Sequence, residues 1–448
     1  MSTSEQSWVE HVMWWQVYPL GFVGAPIRPE AATDAAPVEH RIGRITAWLD
    51  HLVGLGLNGL SLGPVFAATS HGYDTVDHFR VDLRLGDEAD LVALVDAAHA
   101  RGLRVVLDGV FNHVGQDFAR FQDALVSGPG SESAAWFRLR WPDDGGAPTH
   151  DDFEGHSALV ALDHSNPAVA EHVVEVMGYW GDRGVDGWRL DAAYAVPPAF
   201  WAPVLTEVRR RHPGTYVLGE VIHGDYPAVV AESGMDSVTQ YELWKAVWSS
   251  LNDRNAYELD HALRRHSGFA ETFAPATFVG NHDTTRIASR LDDPRHLAHA
   301  LVVLFTVAGT PTVYAGDELG LEGVKEDRAG GDDAVRPELA ASPPSDPELD
   351  ANRAFALHRE LVGIRRRHPW LYRARTEVRV ISDTVMTYVS SSGEDALEIA
   401  LSTDDAPVEI VLDEPVTWLA GAGDLASDGV TLRLEPHGWA CLEHLARA

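Results

Sequence analysis

The chain has 448 residues, 45% of them hydrophobic, and a formal net charge of −32. This length and composition predict a globular protein of about two or three domains, and the negative charge disfavours nucleic acid and anionic membranes as partners. The single cysteine, Cys441, excludes an intrachain disulfide framework and a cysteine-based zinc site.

The N-terminal stretch MSTSEQSWVEHVMWW has no basic segment followed by an apolar run and a small-residue cleavage site. The longest apolar run, Leu301 to Gly309, is shorter than the about 20 residues that cross a bilayer. We therefore expect a cytoplasmic protein without membrane contact. The sequence pattern does not predict an oligomeric state.

One unit is repeated along the middle of the chain: an amphipathic helix, a glycine, an apolar strand and then an acidic residue. The helices are predicted over 87–101, 169–183 and 200–213. The strands that follow read LRVVLD, VDGWRLD and TYVLGE, and they end on Asp108, Asp191 and Glu220. Alternating helices and apolar strands predict a parallel sheet with helical crossovers.

Five further apolar segments bring the number of candidate strands to eight; they lie at 14–18, 57–62, 236–240, 276–280 and 311–315. Eight strands favour a (β/α)₈ TIM barrel over an open doubly wound sheet. No GxGxxG or GxxxxGK[ST] motif follows a strand, which weakens the nucleotide-binding alternative. In such barrels the chemistry takes place at the carboxyl ends of the strands, where the acidic residues fall.

The predicted organisation is a barrel built from 1–113 and 163–372, an inserted subdomain or long loop at 114–162, and a C-terminal antiparallel β-sandwich at 373–448. The insertion is rich in Gly, Asp, Ser and aromatic residues, and after about Tyr372 short alternating runs replace the helical pattern. A second loop at the barrel mouth is predicted over 328–347. The aromatic residues of the insertion could bind a ligand or form its own core.

Three acidic residues, Asp191, Glu220 and Asp283, follow predicted strands and would converge at one mouth. A single aspartate there is often a helix N-cap, but three acids with Arg189 and His282 beside them indicate a functional site, because convergent like charges are costly. Glycoside hydrolysis needs such a set: an ionised nucleophile and a carboxyl group that protonates the leaving oxygen. Arg189 should lie on the same strand face as Asp191 and could keep it ionised.

Four ordered segments resemble the α-amylase superfamily, glycoside hydrolase family 13: DGVFNH at 108–113, GWRLDAA at 187–193, VLGEV at 217–221 and FVGNHD at 278–283. Supporting segments are QVYP at 16–19, GLSLGPVF at 59–66 and HGYDTVD at 71–77. The resemblance covers about residues 12–370 as a barrel with a short inserted domain, followed by the C-terminal β-sandwich usual in the family.

The resemblance implies that Asp191 is the nucleophile, Glu220 the general acid/base and Asp283 a third carboxylate that binds sugar hydroxyls. Asp108 would support the site from below. The implied substrate-binding residues are Tyr73, Asp74, His113, Arg189, His282 and Arg286. Of these, Arg286 would brace a terminal sugar or Asp74, with a surface salt bridge as the alternative.

The implied activity is that of a retaining α-glycoside hydrolase, of α-glucosidase or cyclomaltodextrinase type, on α-linked gluco-oligosaccharides. Ala192 favours α-1,4 linkages, since many α-1,6-specific members carry valine there. No cofactor is expected: although Asn112 matches a family calcium ligand, Tyr194 and Ala195 stand where starch amylases often have the Lys-His pair whose histidine helps to hold calcium. A transglycosylase or sugar isomerase of the same superfamily would use the same residues, and a non-catalytic carbohydrate-binding protein is a more remote alternative.

Overall fold

The computed structural model describes residues 7–29, 37–328 and 330–445. The first six residues, part of the N-terminal stretch considered for a signal peptide, lie outside the described residues. Within the described ranges, no helix has the length and apolar character needed to cross a membrane.

The predicted TIM barrel is confirmed. Its strands are Trp14–Val17 (β1), Gly59–Leu62 (β2), Arg104–Gly109 (β3), Gly187–Leu190 (β4), Tyr216–Gly219 (β5), Ser237–Val238 (β6), Ala276–Phe278 (β7) and Thr310–Tyr314 (β8). They run parallel in the order β6-β5-β4-β3-β2-β1-β8-β7. A parallel bridge between Thr239 and Ala276 links the β6 end to the β7 end and closes the ring.

The helices alternate with these strands. Those predicted from 169 and 200 begin two residues earlier, because Pro167 and Pro198 occupy the first helical position, where proline's fixed φ and missing N–H are harmless. The helices are Pro19–Phe22 (α1), Gly43–Thr46 (α2), Leu49–Leu55 (α3), Glu88–His99 (α4), Ala119–Ser127 (α5), Pro167–Gly181 (α6), Pro198–Arg211 (α7), Tyr226–Ser233 (α8), Tyr241–Asn252 (α9), Ala256–Ala270 (α10), Ile287–Arg290 (α11), Leu297–Thr306 (α12), Asp346–Ala351 (α13) and Arg353–Arg367 (α14).

The chain between β3 and α6 folds into a small subdomain over the barrel mouth. Its main strand, His156–Ala161, pairs antiparallel with His113–Gly115 and with Asp152–Phe153. A short pair, Leu139–Arg140 and Thr149–His150, lies beside α5. Trp136 and Phe137 are buried in the main core, so they serve packing.

An antiparallel β domain follows α14. A five-stranded sheet has the order β9-β10-β11-β16-β13 and a three-stranded sheet the order β12-β15-β14, with a small apolar core of its own. The strands are Arg375–Ile381 (β9), Val385–Ser392 (β10), Asp395–Ser402 (β11), Val408–Val411 (β12), Val416–Gly421 (β13), Gly423–Leu425 (β14), Thr431–Leu434 (β15) and Trp439–His444 (β16).

A buried arginine joins α14 to the end of α12. Arg365 donates hydrogen bonds to the backbone carbonyls of Phe305, Val307 and Gly309. Burial lowers the pKa of Arg365 to about 9, so the guanidinium stays charged at neutral pH. These carbonyls stand where α12 ends and β8 begins, and the C-terminal end of a helix attracts a positive charge.

We predict that Arg365→Met lowers the free energy of unfolding by about 3 kcal/mol, because it leaves buried carbonyl groups without a donor. Urea denaturation followed by tryptophan fluorescence measures the loss. Arg367→Met, an exposed residue of the same helix, is the matched control and should change little. Equal effects of the two substitutions would contradict the role of Arg365.

Candidate active site

A cavity of about 430 Å³ opens at the carboxyl ends of the barrel strands. Its walls include Asp191 after β4, Glu220 after β5 and Asp283 in the loop after β7. Tyr73 and His113 line it from the side of the insertion. The structure therefore brings the three predicted carboxylates to one mouth.

Arg189 lies between three buried carboxylates below this cavity. One terminal nitrogen, Nη1, donates to both oxygens of Asp108 at 2.7 and 2.6 Å, and the other, Nη2, lies 2.8 Å from Oε1 of Glu220. Oδ1 of Asp191 is more distant, at 3.4 Å from Nη1. Arg189 therefore lies closer to Asp108 and Glu220 than to Asp191, the partner expected from the sequence. The reason is register: Arg189 stands directly opposite Asp108 in the β4–β3 pair, so their side chains are neighbours.

The charges of this cluster do not balance. Burial raises the pKa of Asp191 well above its ordinary value, and the negative charge of Glu220 adds to the effect. Burial likewise raises the pKa of Asp108 to about 6, although Arg189 opposes it. The protonation of Asp108 and Asp191 is therefore coupled. Arg189 favours the ionised form of Asp191, as the sequence suggests, while burial and Glu220 oppose it.

Glu220 is fixed by donors on several sides. Besides Arg189, the backbone N–H of Ala192 donates to its Oε2 at 3.0 Å and the hydroxyl of Tyr241 donates to its Oε1 at 3.1 Å. Asn281 in turn donates to the Tyr241 oxygen at 3.0 Å. Ala192 has φ 47°, in the left-handed region that non-glycine residues rarely adopt. This turn aims its N–H at Glu220.

Asp283 contacts two side chains: that of His282, which the sequence predicted at the site, and that of Arg336, which it did not. His282 Nε2 lies 3.0 Å from its Oδ2, and Arg336 Nη2 lies 2.6 Å from its Oδ1. Burial works against ionisation of Asp283, but the positive charge of Arg336 and a hydrogen bond from the neutral His282 ring favour it, and the pKa of this carboxyl lies below its ordinary value. Asp283 is therefore ionised.

Three supporting residues were missed. Arg336 lies in the predicted mouth loop and donates also to the His282 carbonyl at 2.9 Å. Tyr241 begins the helix after β6, and Asn281 lies two residues before Asp283. The sequence signals were the loop itself and the FVGNHD segment, but neither identifies a partner that arrives from a distant part of the chain.

Tyr73 and His113 line the cavity, and the predicted His282 lies buried behind Tyr73. The Tyr73 hydroxyl donates to Asp108 at 3.1 Å and also contacts Nε2 of His282, whose ring lies parallel to the tyrosine ring at 5.6 Å. His113 donates from Nε2 to the Tyr73 carbonyl and stacks on Phe153 at 4.7 Å. Burial lowers the pKa of His113 to about 4 and that of His282 to about 3. Both rings are neutral hydrogen-bonding groups at neutral pH.

Asp74 and Arg286 lie outside the cavity lining. Asp74 is buried and accepts a hydrogen bond from Ser70 Oγ at 2.6 Å. Arg286 is 1% exposed, so it does not form the surface salt bridge considered as the alternative. Its Nη1 pairs with Asp317 at 2.6 Å, and the guanidinium covers the Tyr314 ring. Asp317, just after β8, is therefore the carboxylate partner of this buried guanidinium in place of Asp74 or a sugar.

The surroundings of Asn112 do not fit a calcium ion. Asn112 lines a second cavity, of about 480 Å³, together with Arg138, Arg140 and Asp151. Both arginines pair with Asp151, at 3.5 and 2.5 Å, so positive charge already stands beside this carboxylate of the cavity. In the part of the chain that the structure describes, neither group of acidic and histidine side chains with metal-binding spacing includes Asp151.

The chain is similar to known proteins over most of its length. The family model described as alpha amylase, catalytic domain, matches residues 41–378. The cyclomaltodextrinase of Geobacillus thermopakistaniensis is 30% identical over 96% of this chain and 76% of its own length, and that of a Bacillus species is 34% identical over 71% and 60%. The cyclic α-maltosyl-(1→6)-maltose hydrolase of Arthrobacter globiformis, in complex with cyclic α-maltosyl-(1→6)-maltose, matches with a TM-score of 0.80 at 25% identity, covering 98% of this chain and 99% of that protein.

We predict that Arg189→Met destabilises the fold by about 3–5 kcal/mol at neutral pH, since it leaves three buried carboxylates without a counter-charge. Without the arginine the pKa values of Asp108 and Asp191, which burial already raises, rise further above those of the unfolded chain. The folded state then binds more protons, so stability falls as the pH rises. The Tm deficit relative to wild type should be larger at about pH 8 than at about pH 5.

Arg183→Met, at the end of the preceding helix, is the control and should show no such dependence on pH. Thermal melts at the two pH values measure the difference. A deficit of the same size at both would mean that the carboxylates are not the groups left unpaired.

Proposed function

The chain belongs to the α-amylase family of glycoside hydrolases, and from this premise we propose that it cleaves α-1,4 linkages of gluco-oligosaccharides through a covalent glycosyl-enzyme. One observation carries the proposal: Asp191 and Glu220 share Arg189 at the base of a cavity that Asp283 also lines. Two close carboxyl groups with one proton between them are what a retaining glycosidase requires.

In the first step, the protonated carboxyl group of Glu220 donates its proton to the glycosidic oxygen, and the bond from this oxygen to the anomeric carbon breaks. The Asp191 carboxylate forms the new bond to that carbon from the opposite face. Loss of the proton leaves Glu220 negative, and the Arg189 nitrogen at 2.8 Å stabilises this charge.

In the second step, Glu220 takes a proton from water, the water oxygen bonds to the anomeric carbon, and the bond to Asp191 breaks. Two inversions give net retention of configuration. The N–H of Ala192 and the hydroxyl of Tyr241 keep Glu220 in one position for both steps. The same carboxyl can therefore act as acid and then as base without a rotamer change.

Asp283 is suited to hold the sugar, and the two histidines keep neighbouring side chains in place. Asp283 is ionised and partly exposed to the cavity, so it can accept hydrogen bonds from two sugar hydroxyls. His113 and His282 are neutral rings that hold Tyr73 and Asp283 in place by hydrogen bonds without adding charge to the site. Arg336 keeps Asp283 from taking the proton that Glu220 needs.

The shape of the site supports an oligosaccharide substrate. The catalytic cavity and the second cavity share Phe153, Glu154 and Tyr194. The Tyr194 hydroxyl donates to Glu154 at 2.6 Å on the border between the two cavities. Sugar units on both sides of the cleaved bond would find separate chambers, which agrees with the oligosaccharide specificity named for the relatives. Because Arg138 and Arg140 occupy the surroundings of Asn112, we propose that turnover needs no calcium.

We predict that Asp191→Asn lowers kcat by at least about four orders of magnitude on maltotriose, because the amide cannot form the glycosyl-enzyme. Glu220→Gln should be similarly inactive on natural sugars. On an aryl α-glucoside with an acidic leaving group, the burst of aryl alcohol that reports glycosyl-enzyme formation should persist, since that step needs little protonation.

Glu232→Gln, an exposed glutamate of α8, is the control and should keep full activity. Near wild-type turnover by Asp191→Asn would show that Asp191 is not the nucleophile. Loss of the burst in Glu220→Gln, to the same degree as the loss on maltotriose, would show that Glu220 is not the acid.

A substrate panel separates hydrolysis from transfer. Maltose, maltotriose, a cyclomaltodextrin and isomaltose are incubated separately, and the products and their anomeric configuration are followed by NMR. We expect α-configured products from the α-1,4-linked sugars and little cleavage of isomaltose. Longer oligosaccharides at early times would favour a transglycosylase with the acceptor in the second cavity, and β-configured products would contradict the two-step mechanism.

A further inference from the structure

We propose that Asp293, His296 and His437 bind one divalent transition-metal ion of the Zn²⁺ class at the contact between the barrel and the C-terminal β domain. We call these three residues the seam cluster. Asp293 and His296 lie at the start of α12 in the barrel, and His437 lies in the turn between β15 and β16. None of the three lines the catalytic cavity.

The ligand atoms of the seam cluster lie close enough to share one ion. One ligand atom from each residue falls within 4.8 Å of the others. His296 Nε2 is 2.9 Å from His437 Nδ1, and this Nδ1 is 3.9 Å from Asp293 Oδ2. Zinc ligands at about 2.0–2.1 Å in tetrahedral directions stand about 3.3 Å apart, so only small shifts are needed. Two imidazoles and one carboxylate, with a fourth position for water, form a donor set that suits Zn²⁺.

A fourth residue orients one of the ligands. Nε2 of His437 lies 2.8 Å from Asp405 Oδ1, and a carboxylate there accepts the ring proton. The Nδ1 lone pair of His437 then points at His296 and Asp293. A metal-binding histidine commonly donates its other N–H to a carboxylate in this way.

His296 is buried beside the other two ligands. It is 3% exposed, and its Nε2 is the ring atom that faces Nδ1 of His437.

Two arginines lie beside the seam cluster: Arg295 contacts Oδ2 of Asp293 at 2.5 Å, and Arg254 pairs with Asp405 at 3.0 Å. A metal ion at Asp293 must therefore displace Arg295 from this oxygen. Asp404 adds a further negative charge in the same loop.

Backbone strain falls at the same place. The described chain contains four non-glycine residues with positive φ: Glu154, Ala192, Arg254 and His437. The first two border the catalytic cavity, and the other two lie at the seam cluster. Unfavourable backbone conformations persist where surrounding contacts hold a side chain in a required position. A metal at the seam would tie α12 to the C-terminal domain, where His299 and Arg254 already bond to the Ser402 and Thr403 carbonyls.

The test uses the full chain after dialysis against a chelator. Zn²⁺ is titrated by calorimetry, and Co²⁺ is added in a parallel sample to record its visible absorption. We expect one Zn²⁺ per chain, the intense absorption of four-coordinate Co²⁺, and a higher Tm with Zn²⁺. His296→Gln and His437→Gln should weaken Zn²⁺ binding by at least tenfold, and Asp405→Asn by about tenfold.

Two controls exclude binding elsewhere. His40→Gln removes the histidine of the other possible metal group, His40 with Asp87 and Asp90, which is more exposed, and His261→Gln removes an exposed helical histidine. Both should bind Zn²⁺ as wild type does. Each variant is first checked for a cooperative melt without metal; if a ligand variant does not fold, Asp405→Asn and the wild-type Co²⁺ spectrum decide. The proposal would be overturned if the wild-type protein bound no Zn²⁺ or if Co²⁺ gave an octahedral absorption spectrum. It would also be overturned if His40→Gln lost Zn²⁺ binding while His296→Gln kept it.

Discussion

The arrangement of the catalytic end depends on one buried guanidinium, that of Arg189. It lies within 2.8 Å of oxygens from Asp108 and Glu220, and within 3.4 Å of Asp191, with all four side chains nearly closed to solvent. Such a group is stable only if every partner is in place, because an unpaired charge in this position is costly. Three neighbouring strands, β3, β4 and β5, must therefore be in register before the site exists. The geometry of the site therefore depends on the pairing of these short barrel strands.

Much of the fold follows from local patterns. Glycine after an amphipathic helix and before an apolar run locates β3 and β4, and all eight barrel strands lie within the predicted segments or within one residue of them. Strand ends then place Asp191 and Glu220 correctly, since the carboxyl ends of parallel strands share one edge. Helix starts were displaced at Pro167 and Pro198, where the periodic apolar residues begin after the true first turn.

The partners of these residues were not predictable in the same way. Arg336 reaches Asp283 from a loop more than fifty residues farther along the chain, and Arg286 selects Asp317 rather than Asp74. Local periodicity contains no information about which distant carboxylate a buried arginine meets. The pKa of Asp191 illustrates the same limit, because it depends on the burial and the charges that the closed barrel creates. The sequence located the carboxylates at the strand ends, and only the packed structure showed which side chains surround them.

Ala192 has a consequence for the substitutions that this position can accept. Its backbone is left-handed and its N–H donates to Glu220, so this position is constrained by conformation as well as by its place in the cavity lining. Glycine would adopt this conformation without strain but would loosen the turn, while a β-branched side chain is strongly disfavoured at positive φ. Valine at this position, whatever its effect on linkage preference, would therefore lower the free energy of unfolding. A single mutation to valine would be tolerated only in a chain whose stability exceeds this loss.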